Sequence, residues 1–146
     1  MLPISLTMAG VAALINIWLA IRIGQVRAKE KIMMGDGGNK LLVARMRAQA
    51  NFIENTPLFL LLLALVEFST QTDAGQSQWW LWLVGGIFMA GRVAHGLGMD
   101  GTFKPGRHIG AATATVLLLG MAVYAIALPF LPHPVNITTE NVSDEQ

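Results

Sequence analysis

The chain has 146 residues, of which 53% are hydrophobic and 13% charged, and its formal net charge is +1. Soluble domains carry about 25% charged residues, so this composition argues against a water-soluble globule. The nearly balanced charge gives no reason to expect a nucleic-acid partner, and the lack of cysteine excludes disulfides, thiolate metal sites and a cysteine nucleophile.

Four apolar stretches are each long enough to cross a bilayer core of about 30 Å, which needs roughly 20 helical residues. They cover residues 2–23, 41–68, 79–97 and 108–131. The first has no charge before Arg22 and no small-residue cleavage site, so we predict a retained membrane helix and not a signal peptide. The sequence therefore predicts an all-α integral membrane protein with one domain over 1–131 and a polar, acidic, disordered tail over 132–146.

Polar segments separate the four stretches. The first contains the glycine-rich run 35–38, which by itself predicts a turn and is only a weak phosphate-loop pattern. The second, residues 69–78, precedes three tryptophans at the start of the third stretch, where an interfacial aromatic belt is expected. With four helices, the first and third segments share one side of the membrane.

Basic residues mark that side. Of the ten Lys and Arg residues, seven lie between positions 22 and 47, and the other three are Arg92, Lys104 and Arg107. Positively charged residues favour the cytoplasmic side of a membrane. We therefore predict that the loops over 24–40 and 98–107 are cytoplasmic and that both termini are not.

Polar side chains interrupt the second and third stretches. In the second, helical spacing puts four of them on one face, namely Arg47, Asn51, Glu54 and Asn55. In the third, a stripe at i, i+3 and i+7 consists of Arg92, His95 and Met99. Ionisable groups inside a membrane cost a few kcal/mol and usually face a protein interior or a wet cavity. Both faces therefore predict a polar site in the cytoplasmic halves of the helices.

These side chains also have structural interpretations. Arg45 and Arg47 lie near a helix end, from which a long side chain can reach the interface. Glu54 lies about two turns deeper, where an ion pair with Arg92 is the alternative to a ligand contact. A single histidine such as His95 is more often structural than functional. As a group, several arginines with one carboxylate suit a small anion or zwitterion, since Arg binds carboxylates in a bidentate fork.

The order of these residues resembles the signature of a known family. Arg47, Asn51, Glu54 and Pro57 closely resemble the second-helix motif of the MAPEG family, the membrane-associated proteins in eicosanoid and glutathione metabolism. Further similarity follows in order at the end of the first helix, in the third helix and at the start of the fourth, over residues 24–27, 91–95 and 105–107. Residues 35–38 and 107–110 look most like the bacterial inner-membrane branch. The resemblance covers about residues 2–131.

This resemblance implies a left-handed four-helix bundle that assembles as a homotrimer and binds glutathione between subunits near the cytoplasmic surface. The matched positions that would contact glutathione or support those contacts are Arg47, Asn51, Glu54, Arg92, His95 and, from a neighbouring subunit, Arg27. Arg107 would lie beside the sulfur and activate the thiol, with His108 as a second candidate. The implied activity is that of a membrane glutathione transferase or peroxidase, a detoxification enzyme that takes glutathione as co-substrate and a lipophilic electrophile or hydroperoxide as second substrate.

Three positions depart from the family's pattern. Asn55 and Met99 stand where members have tyrosines, and His108 stands where prostaglandin E synthase has a serine. Tyr124, the only tyrosine, lies deep in the fourth stretch toward the outer side. These differences argue against a dedicated leukotriene or prostaglandin synthase and leave a general transferase or peroxidase. Two alternatives stay open: a non-catalytic glutathione- or lipid-binding scaffold of the same family, and a small multidrug exporter, a class that shows little Lys/Arg bias.

Two further predictions concern packing. Gly106, Gly110 and Ala114 form a small-residue stripe that permits close helix approach, which we interpret as a contact between subunits of a trimer. If Glu54 and Arg92 form a pair, the substitutions Glu54→Gln and Arg92→Leu are each harmful, and their combination is milder than the sum.

Overall fold

The computed structural model describes residues 1–71 and 78–131, and within these ranges it contains helices and loops but no strand. The α-helices are Pro3–Glu30 (α1), Lys40–Ser69 (α2), Trp79–Met99 (α3) and Gly106–Ala127 (α4), and a 3-10 turn, Leu128–Phe130, extends α4. All four α-helices are long and apolar enough to cross a membrane. The predicted all-α architecture with four membrane helices is confirmed, whereas the predicted disorder of 132–146 lies outside the described residues.

The first helix is longer than its apolar stretch. α1 continues about two turns past residue 23 and ends at Glu30, so part of the predicted polar loop is helical. Lys and Arg are good helix formers, and the basic side chains of Arg27 and Lys29 are favourable in the last turn of a helix. Lys31 then ends the helix in the left-handed region, with φ of 55°.

The glycine-rich run is a turn that leads into α2. Its three glycines have positive φ, which favours glycine. The Asp36 carboxylate accepts a hydrogen bond from the Gly38 amide at 2.9 Å, and the Asn39 side chain accepts one from the Leu42 amide at 3.0 Å, which caps α2. The Asp36 side chain of this run is therefore used within the turn, which supports the structural interpretation over the phosphate loop.

The helices pack through apolar side chains, and their outer surface is apolar as well. Phe59 of α2 stacks on Phe88 of α3 with ring centroids 3.7 Å apart, and both rings are fully buried. On α4 large apolar side chains such as Val116, Val123 and Ile126 are exposed. Such a surface is suited to contact with lipid or with another subunit, not with water.

Glycines allow α3 and α4 to approach each other closely. A Cβ atom on Gly106 would overlap the Ala94 carbonyl oxygen, and one on Gly110 would overlap the Gly91 carbonyl oxygen and the His95 side chain. The small-residue stripe of α4 is thus buried inside the chain. The prediction that this stripe forms a subunit contact is wrong, because α3 of the same chain already occupies it.

At the basic end of the bundle, defined as the end with the α1–α2 and α3–α4 loops, an ion-pair cluster joins three helices. Asp100, just past α3, pairs with Arg22 of α1 and with Arg45 of α2. Burial raises the pKa of the Asp100 carboxyl, but hydrogen bonds from Thr102 and the charge of Arg22 outweigh it, so that the pKa lies below its ordinary value. The Arg45 side chain is therefore held by its ion pair with Asp100 and does not extend freely to the membrane–water interface.

At the opposite end, a buried carboxylate caps the first helix. Leu2 occupies the N-cap position of α1 and provides no side-chain hydrogen bond. Glu67 of α2 caps the helix instead. Its carboxylate accepts hydrogen bonds from the Ile4 amide at 2.9 Å, the Ser5 amide at 2.7 Å and the Ser5 hydroxyl at 2.6 Å. Glu67 is fully buried, and its negative charge is favourable at a helix N-terminus.

We expect Glu67→Ala to lower the free energy of unfolding by about 2–4 kcal/mol, since it leaves the buried donors of Ile4 and Ser5 unpaired. The measurement is thermal unfolding of the purified protein in detergent. Glu30→Ala, at the exposed end of α1, is the matched control and should change the midpoint little. Equal midpoints for the two variants would contradict the capping role.

Candidate functional site

A groove at the basic end lies between α2, α3 and α4 and has a volume of about 430 Å³. Small-molecule sites have volumes of roughly 300–1,000 Å³. The residues that line it are Arg47, Ala50, Asn51, Glu54, His95, Met99, Arg107, His108 and Ala111. All except Ala50, Met99 and Ala111 are predicted site residues, so the fold brings most of the predicted site together.

The wall from α2 carries charges of both signs. The helical repeat puts Arg47, Asn51 and Glu54 on one face, as the sequence spacing predicts. Arg47 and Glu54 are exposed in the single chain, and Asn51 is half-buried. Within the described ranges neither Arg47 nor Glu54 forms an ion pair. Both charges therefore remain available to a ligand or to a neighbouring subunit.

The wall from α4 is basic. Arg107 and His108 lie in the first turn of α4, directly after Pro105 and Gly106, and both are exposed. The N-terminus of a helix adds partial positive charge at this place. The groove thus has basic side chains on two walls and the carboxylate of Glu54 on one.

Arg92 lies beneath the groove and not in its wall. It is 2% exposed, and it donates hydrogen bonds from Nη1 to Asn51 Oδ1 at 2.7 Å and from Nη2 to the Gly110 carbonyl oxygen. The ion pair with Arg92 that was the structural alternative for Glu54 is not formed, because the register of α3 against α2 places Arg92 opposite Asn51. The predicted coupling between Glu54→Gln and Arg92→Leu loses its basis with that pair.

His95 contacts both the groove and the start of α4. Its Nδ1 atom lies 3.2 Å from the Arg107 carbonyl oxygen, and this oxygen can only accept, so Nδ1 donates. Together with the bond from Arg92 to Gly110, this contact attaches the first turns of α4 to α3. The two α3 side chains therefore hold in place the turn that carries Arg107 and His108.

Arg27 lies outside the groove of its own chain. Its guanidinium is 3.5 Å from the Ile32 carbonyl oxygen and 3.6 Å from the Met46 sulfur. The expected contact of Arg27 is with a ligand in a neighbouring subunit, so this position does not contradict it, and its ligand role stays a prediction.

Two alanines that the sequence analysis did not single out also line the groove. Ala50 lies three residues after Arg47, and Ala111 lies four residues after Arg107, so each shares a helix face with a predicted site residue. Small side chains at these positions leave room for a ligand. Tyr124 is not in the groove, since its ring packs edge-on against Trp80 with centroids 5.5 Å apart. No tyrosine hydroxyl is therefore available at this site.

The groove has the chemistry to bind a small molecule that carries both carboxylates and an ammonium group. Arg47 and Arg107 are donors for anionic oxygens, and Glu54 is an acceptor for an ammonium. Within residues 1–71 and 78–131 the structure contains no group of three or more His, Asp or Glu side chains that could hold a metal.

Comparisons with known proteins agree with this architecture. The family model described as "MAPEG family" matches residues 5–127. The chain is similar to the inner membrane protein YecN of Escherichia coli strain K12, with 26% identity over 117 residues, which cover 80% of this chain and 86% of the relative. YecN of Escherichia coli O6:H1 matches with the same identity and coverage. These matches confirm the family that residues 47–57 predict and agree with its bacterial branch. The chain belongs to the MAPEG family.

Proposed function

We propose that this protein is an inner-membrane glutathione transferase or peroxidase that binds glutathione in the groove at the basic end. The observation that carries the proposal is the convergence of Arg47 and Glu54 from α2 with Arg107 and His108 from α4 around one open space. Membership in the MAPEG family supports a membrane function related to glutathione. The name of the E. coli relatives supports the inner membrane as the location.

The charges of the groove match those of glutathione. At neutral pH glutathione has two carboxylates, one ammonium group and one thiol. Arg47 is assigned to a carboxylate, Glu54 to the ammonium, and Arg107 to the sulfur, with Arg27 of a neighbouring subunit as a further carboxylate partner. Arg92 and His95 support these contacts from beneath through Asn51 and the first turns of α4.

The chemistry follows from a cation beside the sulfur. Arg107, aided by the N-terminus of α4, stabilises the thiolate and so lowers the pKa of the thiol of bound glutathione. In a transfer reaction the thiolate attacks an electrophilic carbon, a sulfur–carbon bond forms, and the leaving group departs with its electron pair. In a peroxidase reaction two glutathione molecules reduce one hydroperoxide to an alcohol and water and become the disulfide.

The test is glutathione binding by the purified protein in detergent, measured by calorimetric titration, followed by turnover with 1-chloro-2,4-dinitrobenzene and with cumene hydroperoxide. We expect binding of glutathione and turnover of at least one of these substrates. Glu54→Gln should weaken the binding, whereas Glu30→Gln, on the exposed end of α1, is the control for loss of one carboxylate. Binding without turnover would favour the non-catalytic scaffold, and no binding would refute the proposal.

The proposed orientation has the basic end in the cytoplasm. Most Lys and Arg residues lie between positions 22 and 47, at the end where the α1–α2 loop joins the helices. By the positive-inside rule this end faces the cytoplasm and both termini face away from it. Glutathione would then enter the groove from the cytoplasm, while a lipophilic second substrate would enter from the bilayer.

We expect the protein to be a homotrimer. In the single chain Arg47 and Glu54 are exposed on a membrane helix, and such charges need shielding from lipid. A neighbouring subunit would provide that shielding and would bring its Arg27 to the groove. The measurement is the detergent-corrected mass by light scattering, and a value that fits only a monomer would contradict the expectation.

A further inference from the structure

The hydrogen bond from Arg92 to Asn51 determines which side of the Asn51 amide faces the groove. Asparagine has one oxygen acceptor and one NH2 donor group, and which is which must ordinarily be assigned from the surroundings. Here the choice is forced, because a guanidinium has five N–H donors and no acceptor. The Asn51 atom that lies 2.7 Å from Arg92 Nη1 is therefore the oxygen.

The Arg92 guanidinium cannot turn to accommodate the other orientation. Its side chain is 2% exposed, and its second terminal nitrogen donates to the Gly110 carbonyl oxygen of α4. Its centre also lies 5.5 Å from the centre of the Phe88 ring. In a flipped Asn51 the NH2 group would face the N–H groups of Arg92 in a partly buried place, which is unfavourable because neither donor then has an acceptor.

We propose that Arg92 is a positioning residue that fixes the polarity of Asn51, so that Asn51 presents only N–H donors to the groove and binds an oxygen atom of the ligand. Asn51 is half-buried and lines the groove, and its Nδ2 atom makes no hydrogen bond to any residue in the described ranges. The N–H groups of Asn51 thus have no partner among the described residues and can donate to a ligand in the groove. The inference rests on the proposed function, since glutathione offers carboxylate and peptide carbonyl oxygens there.

Arg92 lacks a counter-ion, and this makes the proposal testable without any ligand. No ion pair with Arg92 occurs among the described residues, and its buried Nε atom has no hydrogen-bond partner there. A carboxylate in place of the Asn51 amide would keep the oxygen opposite Arg92 and add the missing negative charge. Asn51→Asp should therefore stabilise the fold while it removes the N–H donors that the ligand needs.

The first experiment measures thermal unfolding of the purified protein without glutathione. Asn51→Asp is expected to raise the unfolding midpoint in the wild-type background and to lower it in the Arg92→Gln background, because Gln keeps a donor but removes the charge. Arg92→Lys is the second background, in case Arg92→Gln does not fold, and there the rise should persist in part. The absence of any coupling between positions 51 and 92 would overturn the inference.

The second experiment measures the dissociation constant of glutathione by calorimetric titration. Asn51→Asp should weaken glutathione binding at least tenfold, although the same variant is expected to be more stable. If Asn51 had only a structural role, glutathione affinity and the unfolding midpoint would change in the same direction. Asn55→Asp is the matched control: it adds the same charge one turn along α2, outside the groove lining, and should change binding less than threefold.

The outcomes separate this inference from the proposed function. Equal effects of Asn51→Asp and Asn55→Asp on glutathione binding would overturn the inference and leave the proposed function intact. A wild-type protein that binds no glutathione would overturn the proposed function and the ligand contact of Asn51 with it. In that event the stability coupling between positions 51 and 92 would still support the fixed polarity of the amide.

Discussion

Replacement of Arg107 by Ala is expected to raise the pKa of the thiol of bound glutathione by about two units and to lower turnover at neutral pH about 25-fold, in proportion to the loss of thiolate. A cation beside a thiol favours the thiolate and lowers its pKa, so removal of the cation shifts the pKa upward. A shift of two units corresponds to about 2.7 kcal/mol, and an unperturbed thiol has a pKa of about 8.5. In the variant most of the bound glutathione would therefore be the unreactive thiol at neutral pH.

The measurement is the ultraviolet absorbance of the thiolate in the bound complex, followed against pH. The dissociation constant of glutathione should change little, since Arg47, Asn51 and Glu54 are the residues proposed to hold other parts of the ligand. Lys104→Ala is the control, because Lys104 is an exposed cation in the adjacent loop and does not line the groove. If wild type and Arg107→Ala titrate at the same pH, thiol activation must be assigned to His108 or abandoned.

The second large effect is expected from a single added methyl group at Gly110. A Cβ there would overlap the Gly91 carbonyl oxygen and the His95 side chain, so α3 and α4 would have to separate. Overpacking of a close contact costs about 1–3 kcal/mol or more, and here it also displaces the carbonyl oxygen that Arg92 binds. We expect Gly110→Ala to lower the unfolding midpoint and to weaken glutathione binding, because the turn with Arg107 moves.

Gly120 provides the control on the same helix. A Cβ on Gly120 would meet no atom within 4 Å, and Ala is favoured over Gly in a helix by about 0.5–1 kcal/mol. Gly120→Ala should therefore leave the unfolding midpoint unchanged or raise it, and glutathione binding should stay at the wild-type level. Similar effects of Gly110→Ala and Gly120→Ala would show that the contact between α3 and α4 tolerates separation.

The polar face of α2 was predictable because it depends only on one helix. The apolar stretch around it is long enough to form a membrane helix, and in a helix residues four and seven apart share a face. The spacing of Arg47, Asn51 and Glu54 therefore placed them together without knowledge of any other element. The motif that these residues form also indicated the family that the comparisons confirm.

The partners of these side chains were not predictable in the same way. Glu54 and Asn51 are both on the correct face to meet Arg92, and only the register of α3 against α2 decides that Asn51 does. Likewise, the stripe of Gly106, Gly110 and Ala114 indicated a close helix approach. Its spacing does not determine whether the helix packed against it belongs to the same chain or to another subunit.

The sequence by itself determined the number of membrane helices, the basic end and the polar face of α2, because hydrophobic length, charge distribution and helical periodicity are local properties. Only the tertiary structure decided that Asp100 joins Arg22 and Arg45, and that Glu67 caps α1. These contacts link residues more than 50 positions apart, and their formation depends on how the helices are rotated and shifted against each other. That rotation and shift depend on how the side chains of all four helices pack together. The periodicity of a single helix carries no information about this packing.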